Sequence, residues 1–204
     1  MKQILFIACL IPLISIAQDE KPGRVSLGVR STVSLFNHGG KDDAGYGAGG
    51  HIRVQLSKRL NTEWFADYLS NATHGSAARR DAHIGWSVMY YLVDTDNFKR
   101  KFTPYVVAGH CFDYTQINLY QNSGAGLSFG DDQKASRWSS AIQTGLGTHY
   151  NLTQRFDVSL AAQYMIHFGK DYHIEELPVR TIVTENHSGL EGHLLVSLSI
   201  NIKL

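Results

Sequence analysis

The sequence predicts an all-β chain, an eight-stranded antiparallel up-and-down transmembrane β-barrel with an N-terminal signal peptide. Three observations lead to that class. The stretch Phe156–Phe168, FDVSLAAQYMIHF, alternates for thirteen residues between an apolar set and a small, polar or adaptable set. Period two is the signature of a β-strand with one oily and one wet face. Strands of soluble sheets mostly run about five or six residues, whereas a tilted strand needs about 9–11 to cross a bilayer. Seven further segments repeat the pattern, and the connections between them alternate short and long.

The first 17 residues precede this architecture. Lys2 is followed by an apolar run from Ile4 to Ile14, and Ser15-Ile16-Ala17 places small residues where signal peptidase reads them. The run is too short for a membrane-spanning helix, which takes about 20 residues, and fits a secretory signal cleaved before Gln18. Residues 1–17 are therefore expected to be the signal peptide and 18–204 a single barrel domain. Removing Lys2 leaves 18 Lys+Arg against 18 Asp+Glu, so no basic excess points to nucleic acid. Cys9 leaves with the signal. Cys111 then stands alone, which excludes an internal disulfide framework. Charged residues make up only 18% of the chain while glycine is frequent, as in barrels where alternate residues face lipid.

Taken in order, the first strand spans about Arg24–Phe36, with Val25, Leu27, Val29, Val33 and Leu35 on the lipid face. The second spans Tyr46–Lys58, with Ala48, Ile52, Val54 and Leu56 outward and Gly47, Gly49, His51, Arg53 and Gln55 inward. The third, Thr62–Ala72, sets Trp64, Ala66 and Tyr68 against Glu63, Phe65 and Asp67. The fourth, Asp81–Val93, sets Ile84, Trp86, Val88, Tyr90 and Leu92 against His83, Gly85, Ser87, Met89 and Tyr91. The fifth, Phe102–Thr115, carries Pro104 near its start, where a missing donor is tolerated. The sixth is Trp138–Leu152 and the seventh Phe156–Phe168. The eighth runs to Leu204, with Leu194, Val196, Leu198, Ile200 and Ile202 outward.

The connections at about 57–61, 94–101 and 153–155 are short, and those at 37–45, 73–80, 116–137 and 169–189 are longer. Short periplasmic turns and long outer loops are the expected asymmetry of such barrels, and both termini then lie in the periplasm. Trp64, Tyr150 and Phe156 fall near the short-turn end, and Trp138, Phe112, Tyr114 and Phe168 near the long-loop end. Two aromatic belts at headgroup depth are expected from this placement. A soluble, lipocalin-like barrel would instead bury these rings and expose the face carrying Arg30, Arg53, Glu63, Asp67 and Asp157. It fits strands of this length less well.

On these residues the chain resembles the eight-stranded outer-membrane β-barrel family of OmpA and OmpX type, over the whole mature length. It is similar in particular to the outer-membrane β-barrel proteins of flavobacterium-like (Bacteroidota) bacteria. Ala17-Gln18, the segment HIGWSVMYY (His83–Tyr91) and the segment PYVVAGHCFDY (Pro104–Tyr114) have that texture. The resemblance implies a barrel in the outer membrane and no particular activity. The sequence stops with the eighth strand, so no periplasmic peptidoglycan-binding domain is expected. Its last residue is Leu204, where the family's assembly signal is usually aromatic.

An eight-stranded barrel is only wide enough for its own side chains. The inward charges Arg24, Arg30, Arg53, Glu63, Asp67, Asp113, Asp157 and Glu191 must then pair to be tolerated. With strands two and three forming a hairpin, Arg53 is expected close to Glu63 and Asp67, and the network is expected to plug the lumen. His51, His83, His149, His167 and His193 also read inward. His83, His167 and His193 lie toward the long-loop end, with Asp113 and Cys111 at similar depth. No two histidines have a ligand spacing such as His-x-x-x-His. The residues are therefore read as fillers of a polar core, and no metal, cofactor-binding or catalytic residue is assigned. His110 reads lipid-facing, with Ser140 and Thr144 on the same face of the neighbouring strand, so a Ser–His pair is possible there.

The resulting expectation is a monomeric outer-membrane barrel that is not an enzyme and needs no cofactor. Its role is structural or one of surface interaction. Its expected partners are the bilayer and lipopolysaccharide, the barrel-assembly machinery during insertion, and an extracellular ligand met by loops 116–137 and 169–189. The alternatives are a lipid A-modifying hydrolase or acyltransferase, and an OmpW-like conduit for small hydrophobic molecules.

Overall fold

The structure, a computed structural model, describes residues 24–36, 44–73, 77–95, 100–119, 133–168, 171–175, 181–185 and 191–204. The signal peptide expected at 1–17 and most of the long loops lie outside the described residues. Among the described residues ten strands occur in chain order: β1 (Val25–Phe36), β2 (Ala44–Gln55), β3 (Leu60–Thr73), β4 (Ala77–Tyr91), β5 (Phe102–Leu119), β6 (Gln133–Asn151), β7 (Phe156–Phe168), β8 (Asp171–Glu175), β9 (Thr181–Glu185) and β10 (Glu191–Lys203). Eight of them close a barrel in the order β1-β10-β7-β6-β5-β4-β3-β2. Each strand pairs antiparallel with its neighbours, and β1 and β10 seal the seam from Ser26↔Lys203 to Phe36↔His193. No helix is present among the described residues, and none could cross a membrane. Closure leaves no edge strand, so the backbone groups of the barrel are satisfied within its own ladder.

Several strands extend beyond the apolar stretches that define them in the sequence. β5 runs to Leu119 and β6 starts at Gln133, so both ends of the loop expected at 116–137 are strand, and 120–132 lie outside the described residues. The expected loop at 73–80 is mostly ladder, with Thr73 paired to Ala77. Beyond the lipid the outward face need not be apolar, so Gln116, Asn118 and Ser136 continue the pairing as polar outward residues while Thr115 and Ile117 stay buried. The loop at 169–189 contains the β8–β9 hairpin, a separate two-stranded sheet in register from Asp171↔Glu185 to Glu175↔Thr181. It is a distinct strand pair rather than a simple prolongation of β7 and β10.

β7 shows how pattern becomes packing. Asp157, Ser159, Ala161, Gln163, Met165 and His167 are buried in the lumen, while Leu160, Ala162, Tyr164 and Phe168 are exposed on the outside. The same outward face elsewhere carries Ile52, Trp86, Leu146, Leu198 and Ile200, all exposed. Trp138 is 70% exposed. A continuous apolar exterior of this kind is satisfied by lipid and not by water. Phe102 stacks on Tyr150 at the short-turn end, and Tyr114 on Trp138 at the long-loop end, with ring centroids 5.0 Å apart in both pairs. These pairs mark the two expected belts.

Inside, glycine on one strand makes room for a large side chain on the next. A Cβ on Gly147 would run into the ring of Tyr105, its direct partner across β5 and β6. A Cβ on Gly49 would meet Asp67. At the short-turn end, Arg59 Nε donates to Asp94 Oδ1 at 2.6 Å and so links two turns. The guanidinium holds the Asp94 carboxyl below the usual carboxylate range. Both partners are about half exposed, so solvent screens the pair and it adds little stability.

Candidate functional site

The interior is the one place in the described structure where polar chemistry concentrates, and it is arranged in layers along the barrel axis. The layer nearest the short turns centres on Asp157 of β7. Asn201 Nδ2 donates to Asp157 Oδ1 at 2.6 Å and to Ser159 Oγ at 2.8 Å. Lys203 Nζ lies 3.4 Å from Asp157 Oδ2. His149 Nδ1 meets Ser159 Oγ at 2.5 Å, and its Nε2 faces the Tyr91 hydroxyl, which also accepts from Asn61 Nδ2 at 2.7 Å. Tyr105 packs on His149 with ring centroids 4.6 Å apart.

The middle layer is an ion-pair network. Arg53 Nε donates to Glu63 Oε2 at 2.7 Å, as the β2–β3 hairpin leads one to expect. Arg53 Nη1 also reaches Ser159 Oγ at 3.3 Å and stands 3.9 Å from Asp157. Asp67, however, is engaged by Arg30 and not by Arg53. Arg30 holds it bidentately through Nε and Nη2, and its Nη1 donates to Glu63 Oε1 at 3.1 Å. Register explains the difference. Arg30 of β1 pairs with Gly49 of β2, which pairs with Asp67 of β3. With no side chain on Gly49, the guanidinium passes over the intervening strand. The Arg30 guanidinium also sits 4.4 Å from the centroid of the Phe65 ring. His51 Nε2 donates to Asn201 Oδ1 at 2.7 Å and ties the two layers together. Of the other expected members, Arg24 lies just before β1 and is exposed, Asp113 pairs with histidines instead, and the Glu191 side chain falls outside the described residues.

Above the network, Phe65, Leu69, Cys111, Ala141, Met165 and Leu195 form a small apolar plug. The Cys111 thiol donates to Met165 Sδ at 3.7 Å, so this cysteine belongs to the plug and not to the histidine layer above it.

That outer layer gathers His83 from β4, His167 from β7 and His193 from β10, all buried. One ring nitrogen of each lies within 4.8 Å of the others. Asp113 of β5 faces two of the rings, with Oδ2 3.2 Å from His167 Nδ1 and Oδ1 3.2 Å from His83 Nε2. Ser139 and Thr115 donate to Asp113 Oδ2, and Thr115 also reaches Asp81, which pairs with Arg79 at 3.1 Å. Ser34 Oγ meets His193 Nδ1 at 3.3 Å. His167 and His193 are diagonal neighbours, because His167 pairs with Glu191 and His193 with Met165. The depth of the three histidines is readable from the alternation. Their convergence is not, because it depends on register and on β4 facing β7 and β10 across the lumen.

On the lipid face, His110 Nε2 and Ser140 Oγ are 2.6 Å apart, the pair possible from the sequence. His110 packs edge-on against Phe112. Thr144 stays out of it and donates to the Val107 carbonyl. No carboxylate among the described residues pairs with His110, so nothing there orients the imidazole as a base.

Known proteins give the same architecture. Neisserial surface protein A superposes with a TM-score of 0.59 at 14% identity, covering 88% of this chain and 96% of that one. A major outer membrane protein from Thermus thermophilus gives 0.60 at 10% identity, over 89% and 100%. The attachment invasion locus protein Ail of Yersinia pestis gives 0.52 at 10% identity, over 89% and 97%. At these identities the likeness is one of fold. No curated protein sequence matches the chain. The sequence profile of the outer membrane protein beta-barrel domain matches residues 6–192. By that match, and by its closed barrel of eight antiparallel strands, this chain belongs to the outer membrane protein beta-barrel domain family.

Proposed function

We propose that the protein is an integral barrel of the bacterial outer membrane whose lumen is closed by its own side chains and whose contacts with the outside are made by its long loops. One observation carries this reading. The inward faces of β1, β2, β3, β7 and β10 are joined by three cations, Arg30, Arg53 and Lys203, and three carboxylates, Glu63, Asp67 and Asp157, stacked beneath the apolar plug. Buried charges matched in this way belong to a sealed interior, because an open aqueous channel would not need to pair them. Activity is then left to segments 116–137 and 169–189, the latter carrying the β8–β9 hairpin, since binding residues concentrate on loops held by a rigid frame. Lipopolysaccharide and the surrounding bilayer are the partners of the apolar exterior, the assembly machinery acts during insertion, and the barrel works as a monomer without a catalytic step.

Topology is testable by labelling. Glu175→Cys in β8 is expected to react with a membrane-impermeant maleimide on intact cells. Ser57→Cys in a short turn is expected to react only after the outer membrane is permeabilised, and the buried Cys111 in neither case. Labelling of Ser57→Cys on intact cells, with Glu175→Cys silent, would reverse the orientation and remove the loops from the surface.

The lipid A-modifying alternative is favoured by the His110–Ser140 contact at lipid depth. It lacks a carboxylate partner for His110 among the described residues, so the structural reading is preferred. A lateral conduit would call for a gap in the wall, whereas all eight ladders are continuous over the described residues.

A further inference from the structure

The histidine layer at the outer end of the lumen is more ordered than a filler needs to be. Two rings have one nitrogen held by a neighbour, His167 Nδ1 by Asp113 and His193 Nδ1 by Ser34, while His83 Nε2 lies 3.2 Å from Asp113 Oδ1 without a hydrogen bond. One nitrogen of each of the three rings lies within 4.8 Å of the others. His167 Nε2 and His193 Nε2 stand 3.2 Å apart, and neither nitrogen of His83 has a hydrogen-bond partner among the described residues although the ring is only 1% exposed. A buried, unpartnered ring nitrogen is costly. Two imidazole nitrogens on a tetrahedral zinc, each about 2.0–2.1 Å from the metal, lie about 3.4 Å from each other, close to the His167–His193 spacing, and His83, within 4.8 Å of both, would close in on the ion. A carboxylate on the far nitrogen is the usual means of fixing the tautomer and orientation of a ligating histidine. Asp113 is placed to do this for two rings at once.

We propose that His83, His167 and His193 form a three-histidine site for a divalent transition-metal ion with the ligand preferences of Zn²⁺, enclosed in the outer layer of the barrel lumen. The donor set decides the class of ion. Imidazole nitrogens suit zinc, copper, nickel and iron, whereas magnesium and calcium call for oxygen ligands. Cys111 stands apart in the plug beside Met165 and supplies no thiolate. Three protein ligands leave a fourth position open. The ligands come from β4, β7 and β10, strands that are not all adjacent, so a bound ion would cross-link opposite walls just below the outer rim. Because the layer is buried, the ion is expected to enter as the barrel folds, when metal binding and folding are coupled.

The test uses the full chain refolded into detergent in the presence of Zn²⁺, dialysed free of excess metal and assayed for bound zinc, with heat-modifiable gel migration as the readout of folding. Folded wild type is expected to retain about one zinc per chain, the capacity of a single site of this kind. Folded His167→Ala is expected to lose it, while His149→Ala, which removes a buried lumen histidine outside the layer, keeps it. Asp113→Asn is expected to keep the ligands and weaken zinc binding by about 10–100-fold, the usual effect of losing an orienting partner. Should His167→Ala fail to fold, the wild type refolded with Co²⁺ decides. Visible absorption of the intensity typical of four-coordinate cobalt supports the site, and the weak spectrum of the hydrated ion overturns it. Wild type that retains no zinc, or folded His167→Ala that retains as much as wild type, would equally overturn it.

Discussion

Glu63→Ala should lower the unfolding free energy of the barrel by about 3–5 kcal/mol, the cost of breaking a buried ion pair from one side. Glu63 accepts from both Arg53 and Arg30, and its side chain is only 4% exposed. Removing it leaves three cations of the network, Arg30, Arg53 and Lys203, facing two carboxylates, Asp67 and Asp157. Urea unfolding in lipid vesicles is the measurement, and the midpoint should fall while the slope is unchanged. The exposed turn pair supplies the control. Asp94→Ala removes an ion pair of equally short distance and should leave the midpoint where it is. Equal effects from the two substitutions would mean that the lumen network is solvated rather than buried.

Phe65→Ala should cost about as much, ~3–5 kcal/mol on the usual scale for deleting a buried aromatic ring. The ring is buried at the junction of the apolar plug and the charged network, against Leu69, Cys111 and Met165 on one side and the Arg30 guanidinium on the other. Truncation therefore opens a cavity and also strips Arg30 of a favourable contact with the ring face. The same urea titration reads it. Phe65→Leu, which refills most of the volume without the π face, should recover most of the loss. If the leucine variant were no better than the alanine one, packing would not be the main role of the ring.

The strands were legible because each face meets a different solvent. Lipid enforces the apolar set of β7 and β10, and the narrow lumen enforces the small and polar set, so alternation through Ser197, Leu198, Ser199 and Ile200 has one reading. Strand ends were not legible above the membrane, since β5 from Gln116 to Leu119 and β6 from Gln133 to Arg137 lie where neither face is constrained by lipid. The pairing of Arg53 with Glu63 followed from hairpin proximity. That of Arg30 with Asp67 did not, because it requires knowing that Gly49 lies between them in register. Alternation sets Cys111 at a depth similar to that of the histidines, whereas it sits with Met165 in the plug beneath them. The histidine layer itself was visible as three inward residues of similar height. Its shared carboxylate needed the direct pairing of His83 with Asp113 and the reach of Asp113 to His167, both products of closure.

A closed lumen is the central claim, and recording from the purified protein in planar bilayers tests it most directly. The paired charges and the plug of Phe65, Leu69, Cys111 and Met165 predict a bilayer that stays electrically silent apart from rare, brief events as the protein is added. Large, steady conductance steps from the wild-type chain would contradict a sealed interior.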